Sequence, residues 1–300
     1  MFTSRRRTSW LGLVLGLLAL LDGAAAHGDA LQVRFGVPGF DDTLSRYERS
    51  LLELTLTKTM AREGPFELTV FDARHASGAA VTASRSIELL RAGQDIDVLV
   101  LTSTVEREAT LLPIRIPIDR GLLGYRVLLI RREDAPRFAQ LQTLRDMSLG
   151  QVSDWLDTRI LERSGLTVVR SPTQGQLMGM LRAGRFDAYP RGLTQAWDEL
   201  AAEGDSDLMI EPTLAIYYPL ARYFFVASGN HALADRVERG FRLAIADGSF
   251  QRLFHDDPGN KRALALADLK HRRIIRLDNP FLPPGTPRDE RGLWFEPLAE

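Results

Sequence analysis

Apolar and polar residues follow two periods along this chain. Residues 31–38 (LQVRFGVP) form a short, dense apolar run of the kind that makes a buried strand. From about Asp42 to Glu63 the apolar residues Leu44, Tyr47, Leu51 and Leu54 recur at helical spacing, and Gly64 and Pro65 stop that helix. Phe66 to Ala73 predicts a second strand and Thr82 to Ala92 a second helix. Ile96 to Leu101 (IDVLVL) is almost wholly apolar, as strands of a parallel sheet covered on both faces tend to be. The first third of the chain is therefore a βαβαβ unit.

A strand-rich passage from Ile114 to Arg131 follows, with Gly121 and Gly124 ahead of the run YRVLLI. A second series then begins. Strands are expected at Ser148 to Val152, Leu166 to Arg170 and Phe186 to Tyr189, and helices at Trp155 to Ser164 and Thr173 to Ala183. The chain returns through a strand-like stretch, Tyr223 to Ala227, to a helix at Ala234 to Asp247 and a shorter one after Gly248. The expected fold is α/β with two lobes, each a sheet flanked by helices, joined by two hinge crossings. Residues 27–117 and 223–300 are assigned to lobe 1 and residues 118–222 to lobe 2. The proline- and glycine-rich tail from Asp278, with Trp294, Phe295 and Leu298, is expected to wrap lobe 1.

Composition narrows the function. The 300 residues carry a formal charge of -1, with Lys and Arg scattered along the chain, which argues against a nucleic-acid partner. Arg5, Arg6 and Arg7, an apolar run from Trp10 to Leu21 and the small residues Gly23 to Ala26 have the order of a secretory signal, so residues 1–26 are expected to be removed and the mature protein to reside in the periplasm. Zero cysteines exclude a lipid-acceptor cysteine, disulfides and thiolate metal sites. His27, His75, His231, His255 and His271 are dispersed and lack ligand spacing. No metal site, cofactor or catalytic set is expected; Asp154 and Asp157 are acids at a helix start, where acidic residues are common.

Four stretches carry a resemblance: TVER (Thr104 to Arg107), LGQVSDW (Leu149 to Trp155), MLRAGRFDA (Met180 to Ala188) and AIADGSFQRLF (Ala244 to Phe254). In this order and spacing the chain resembles the family 3 solute-binding proteins, the type II periplasmic binders that serve polar amino-acid transporters. The resemblance implies an interlobe cleft that captures a small molecule, a monomer, and an ABC-type permease as partner. A membrane sensor is the alternative partner, and a dehydratase-like enzyme on the same scaffold a further alternative. It also implies that Arg107 grips a ligand carboxylate with two parallel hydrogen bonds; the alternative for Arg107 is a surface ion pair with Glu106 or Glu108.

Further cleft positions follow from the strand ends. Thr102 and Ser103 end the third strand and are placed to offer hydroxyls to an anion. Ser153 and Thr173 precede helices and are expected to cap them or to face an anion. Phe40 and Trp155 would cover the apolar part of a ligand, or pack inside their own lobes. Tyr189 and Arg191 are expected on the far wall. The family's aspartate beyond the AGRxDA motif, which receives the ligand's ammonium, is replaced near Gly192, with Arg191 beside it. An extra cation and a missing anion disfavour an amino group and favour an anionic or neutral polar ligand.

Overall fold

The computed structural model describes Met1 and residues 29–37, 42–72, 83–204 and 207–297. Apart from Met1, the expected secretory segment lies outside the described residues, as do Phe40, His27 and His75. Among the described residues no helix is long and apolar enough to cross a membrane.

The first unit builds as its pattern dictates. Strand β1 (Leu31–Val37) pairs in parallel with β2 (Phe66–Asp72), which follows helix α1 (Asp42–Glu63). Helix α2 (Ala83–Ala92) leads to β3 (Leu99–Thr102), then to the short helix α3 (Val105–Glu108) and β4 (Leu111–Ile114). A parallel bridge from Phe35 to Val98 joins the β1–β2 pair to the three-stranded sheet β3-β11-β4, whose middle strand β11 (Arg222–Ala227) comes from far along the chain. That strand, RYFFVA, is buried almost throughout and runs antiparallel to both neighbours. A strand covered on both faces and both edges needs no polar alternation.

The second unit contains β5 (Tyr125–Arg131), α4 (Ala135–Ala139), β6 (Ser148–Val152), α5 (Leu156–Arg163), β7 (Thr167–Ser171), α6 (Leu177–Arg182), β8 (Ala188–Gly192), α7 (Ala196–Ala202), β9 (Leu208–Ile210) and β10 (Leu214–Tyr217). After β11 come α8 (His231–Ala246), α9 (Ser249–Asp256), α10 (Pro258–Ala267) and β12 (Arg273–Arg276). The second sheet has the order β12-β10-β5-β8-β6-β7, with β9 also on β5. The chain passes from the first sheet to the second between β4 and β5 and returns between β10 and β11.

One expectation is corrected here. The sequence reading gives everything after residue 223 to lobe 1, yet β12 pairs in parallel with β10 and belongs to the second sheet. The tail then comes back over the crossing, where the Phe295 amide donates to the Arg120 carbonyl at 2.7 Å. RIIR is too short and too charged to announce an edge strand by pattern alone.

Helices α1 and α8 pack face to face over the first sheet. Gly240 permits their approach: a Cβ there would lie 1.8 Å from the Thr55 carbonyl oxygen. Along the same seam Arg236, 5% exposed, donates to Thr59 Oγ1 at 3.1 Å and to the Glu63 carbonyl at 3.2 Å, so its buried charge is spent on closing the C-terminal end of α1. At the other end of α1, Glu48 forms a buried ion pair with Arg222, and Tyr47 donates to the Ile118 carbonyl at 2.6 Å. These bonds fix the first crossing to the first lobe.

Candidate functional site: an interlobe cleft

The end of β3 and the start of α5 face each other across a cleft of about 300 Å³. Thr102, Thr104 and Arg107 line it from the first sheet; Arg126, Asp154, Trp155, Leu156, Asp157 and Arg159 line it from the second, and Leu123 and Leu220 close it from the two crossings. Ligands of open α/β sheets lie at strand ends of this kind.

Arg107 is set by α3. Thr104 has extended backbone and its hydroxyl accepts from the Arg107 amide at 3.2 Å, which caps this short helix and turns the arginine toward the cleft. Its Nη1 donates to the Thr102 carbonyl at 2.5 Å. No ion pair joins Arg107 to a carboxylate among the described residues. Glu108 is occupied by Ser103 and by Arg115, whose Nη2 lies 2.5 Å away, so the expected surface pairing of Arg107 with Glu108 is not formed. Burial pulls the Arg107 guanidinium below its ordinary value, and the charge of Glu106 only partly offsets this. A half-buried cation with one neutral acceptor is a site that favours an anion.

The opposite wall carries a closed network. Asp157 in the first turn of α5 accepts from Arg126 Nη2 at 2.7 Å and from the Tyr218 hydroxyl at 2.5 Å, while Arg126 Nε also donates to the Tyr218 oxygen at 3.0 Å. Burial pushes the Asp157 carboxyl up, but the charge of Arg126 and the bonds from Tyr218 and Arg126 outweigh it and hold the carboxyl below its ordinary value. These groups are paired structural charges, not a free acid or base. Trp155 occupies the N-cap position of α5 without capping it, and the Asp157 carboxylate in the first turn accepts from its own backbone amide at this helix start beside the cleft. Arg159 also lines the cleft and lies 4.1 Å from the ring centre of Phe281.

Of the positions expected from sequence, Thr102, Arg107 and Trp155 are brought together in the cleft. Ser103, Ser153, Thr173, Tyr189 and Arg191 are not among its lining residues. Ser103 is buried and donates to Glu108 at 2.5 Å. Neither Ser153 nor Thr173 caps a helix: the Ser153 amide and hydroxyl both bond the Ser171 carbonyl, at 2.8 and 3.0 Å, extending the β6–β7 ladder, and α5 begins only at Leu156. Thr173 is exposed and makes no side-chain cap.

Tyr189 is fully buried on β8, and burial raises its hydroxyl well above the ordinary value. Arg191, expected as a spare cation, is 5% exposed and neutralised by Glu199, with Nε donating at 2.6 Å. It lies between the rings of Trp155 and Tyr189, at 5.1 and 5.2 Å from their centres, and so supports the cleft wall from behind. The sequence reading missed Arg126 and Arg159. Arg126 had a signal: a single arginine near the start of the otherwise apolar run YRVLLI must be paired if the strand is buried. Gly192 adjoins Arg126, since a Cβ there would lie 3.0 Å from Arg126 Nη1.

The chain has the two-lobed type II periplasmic-binding fold. It is similar to the VFT2 domain of BvgS from Bordetella pertussis in a double-substituted form, with a TM-score of 0.53 and 18% identity over 75% of this chain and 93% of that one. A protein from Bacillus subtilis matches with a TM-score of 0.51 and 16% identity over 83% of this chain and 97% of that one. An amino acid ABC transporter substrate-binding protein from Streptococcus pneumoniae, bound to L-arginine, matches with a TM-score of 0.50 and 12% identity over 75% of this chain and 93% of that one. No family model matches the chain, and no curated protein matches it.

Proposed function

We propose that this protein is a periplasmic solute-binding protein that closes its lobes on a small anionic molecule and hands it to an ABC-type permease without chemical change. The observation that carries this reading is Arg107, half-buried at a strand end and free of any carboxylate among the described residues, facing the start of α5. The charged lining supports an anion: Arg107, Arg126 and Arg159 against Asp154 and Asp157. Of the two carboxylates in the lining, Asp157 is committed to Arg126 and Tyr218, and Asp154 is exposed to solvent. In this reading one lobe is formed by residues 27–117 and 223–267 and the other by 118–222 with β12, and the protein acts as a monomer after loss of residues 1–26.

In a second reading the liganded form reports to a membrane receptor. Both readings share the same binding step, a shift between open and closed lobes. A thermal-shift screen of organic acids, acidic and neutral amino acids and small polar solutes tests it, since a ligand that binds only the folded state raises its melting temperature. At least one carboxylate is expected to stabilise the protein, and Arg107→Ala to weaken that binding by about 1.5–3 kcal/mol with the fold intact. Unchanged affinity in Arg107→Ala removes the arginine from the site, and turnover of a hit replaces capture with catalysis.

A further inference from the structure

A second cavity, of about 670 Å³, lies on the hinge side of the molecule and shares no lining residue with the cleft. Four guanidiniums line it: Arg120 from the first crossing, Arg276 from β12, and Arg288 and Arg291 from the tail. Among the described residues its only acidic lining residue is Glu296, 3.1 Å from Arg276. Besides that pair the lining carries Arg288 and Arg291, both exposed, and the buried Arg120, whose Nη1 lies 3.4 Å from His255 Nε2.

The site is built rather than a chance gathering of surface side chains. Arg120 is 5% exposed, so a cation has been carried into the interior. Its Nη2 donates to the Trp294 carbonyl at 3.4 Å, and its guanidinium lies 5.4 Å from the ring centre of Phe254. Its backbone has φ 53, a left-handed conformation that costs a non-glycine residue energy and is found where function demands it. The tail is fixed on the crossing: Trp294 Nε1 donates to the Pro287 carbonyl at 2.9 Å, and the Tyr125 hydroxyl donates to the Phe295 carbonyl at 3.2 Å. The Trp294 ring sits where Gly121, at φ 72, leaves room, since a Cβ there would lie 2.4 Å from it. Arg276 in turn lies 5.0 Å from the ring centre of Tyr217. Arg120 and Arg276, held in place by these contacts, lose little freedom when an anion arrives, while Arg288 and Arg291 stand exposed on the tail.

We infer that this hinge-side cavity is a second binding site, for a compact soluble polyanion bearing two or more neighbouring phosphate or carboxylate groups. Several guanidiniums converging on one concave space match such a molecule, whose adjacent oxyanions each take a charged hydrogen bond. Titration calorimetry of the full chain at low salt with sodium pyrophosphate, and separately with citrate, tests the inference. Saturable one-to-one binding of at least one probe is expected. The double variant Arg288→Ala, Arg291→Ala is expected to lose tenfold or more in affinity, while Arg107→Ala loses less than twofold. Failure of both probes to bind, equal affinity in the double variant, or loss in Arg107→Ala in place of the double variant overturns it. Because Arg288 and Arg291 line the hinge-side cavity and Arg107 the interlobe cleft, either site can fail without the other.

Discussion

The guanidinium of Arg191 lies 5.1 Å from the ring centre of Trp155, with Glu199 holding it from the other side. Arg191 is thus a positioning residue for an aromatic side chain that lines the cleft, and does not itself face it. The variant Arg191→Met, Glu199→Met removes both charges together, so neither is left buried and unpaired. It is expected to fold and to bind the ligand less tightly by about 0.5–2 kcal/mol, the range of a partly desolvated cation–π contact. Titration calorimetry against the hit from the screen checks this, and equal affinity would show that Trp155 keeps its place unaided.

Gly192 lies near the position where the resemblance leads one to expect an acid, and its neighbour is a cation already in use. A carboxylate there competes with Asp157 for Arg126, because the Cβ would start 3.0 Å from Nη1. Gly192→Asp is therefore expected to weaken an anionic ligand by tenfold or more, about 1.4 kcal/mol. Gly192→Asn, of the same size but neutral, is expected to lose much less. Parallel losses in the two variants would point to space, not charge.

Local pattern made most of the scaffold legible. The helical stripe that contains Tyr47 and Leu51 is buried at both positions, and Gly184 and Gly248 have the left-handed backbone expected of residues that stop a helix. TVER placed Arg107 in the cleft because its position depends on a strand end and one capping threonine close in sequence. What failed depends on partners far away in the chain. Arg126 meets Asp157 across 31 positions and Arg222 meets Glu48 across 174, and no periodicity encodes either. Ser153 differs from its expected capping role for a related reason: a capping hydroxyl accepts from amides close in sequence, whereas this one donates to the carbonyl of Ser171, 18 positions away. Residues 273–276 were expected in the other lobe because β12 owes its place to pairing with β10 and not to its own composition.

The seam between α1 and α8 should tolerate no side chain at Gly240. The obstructing atom is the Thr55 carbonyl oxygen, 1.8 Å from the added carbon, and backbone cannot swing aside as a flexible side chain can. Gly240→Ala must part the helices, lengthening the Arg236 bonds to Thr59 and to the Glu63 carbonyl on the same seam. The expected cost is about 1–3 kcal/mol or more, despite alanine's better helix propensity. Thermal or denaturant unfolding measures it, and an unchanged midpoint would mean that the two helices already separate at that point.

The Asp157 network gives the stability of the protein a pH dependence whose sign can be worked out. Its folded carboxyl is held below the ordinary value by Arg126 and Tyr218 despite the opposing effect of burial. An unfolded aspartate titrates at about 3.9, so between that value and the lower folded one the unfolded chain binds more protons than the native one. The contribution of the network is therefore complete above that range and is lost as the pH falls through the folded value. Asp187, lowered by Ser148 and Arg137 against its own burial, acts in the same direction, while Asp119, raised by burial, acts in the opposite one. Melting curves of the wild type alone report the sum. Asp157→Asn isolates one part: the variant is expected to be less stable near neutrality, because Arg126 loses its counter-charge, and to lose less than the wild type between about pH 5 and pH 2. If the two melting temperatures fall in parallel, Asp157 does not carry the acid sensitivity, and its bond to Arg126 contributes only geometry.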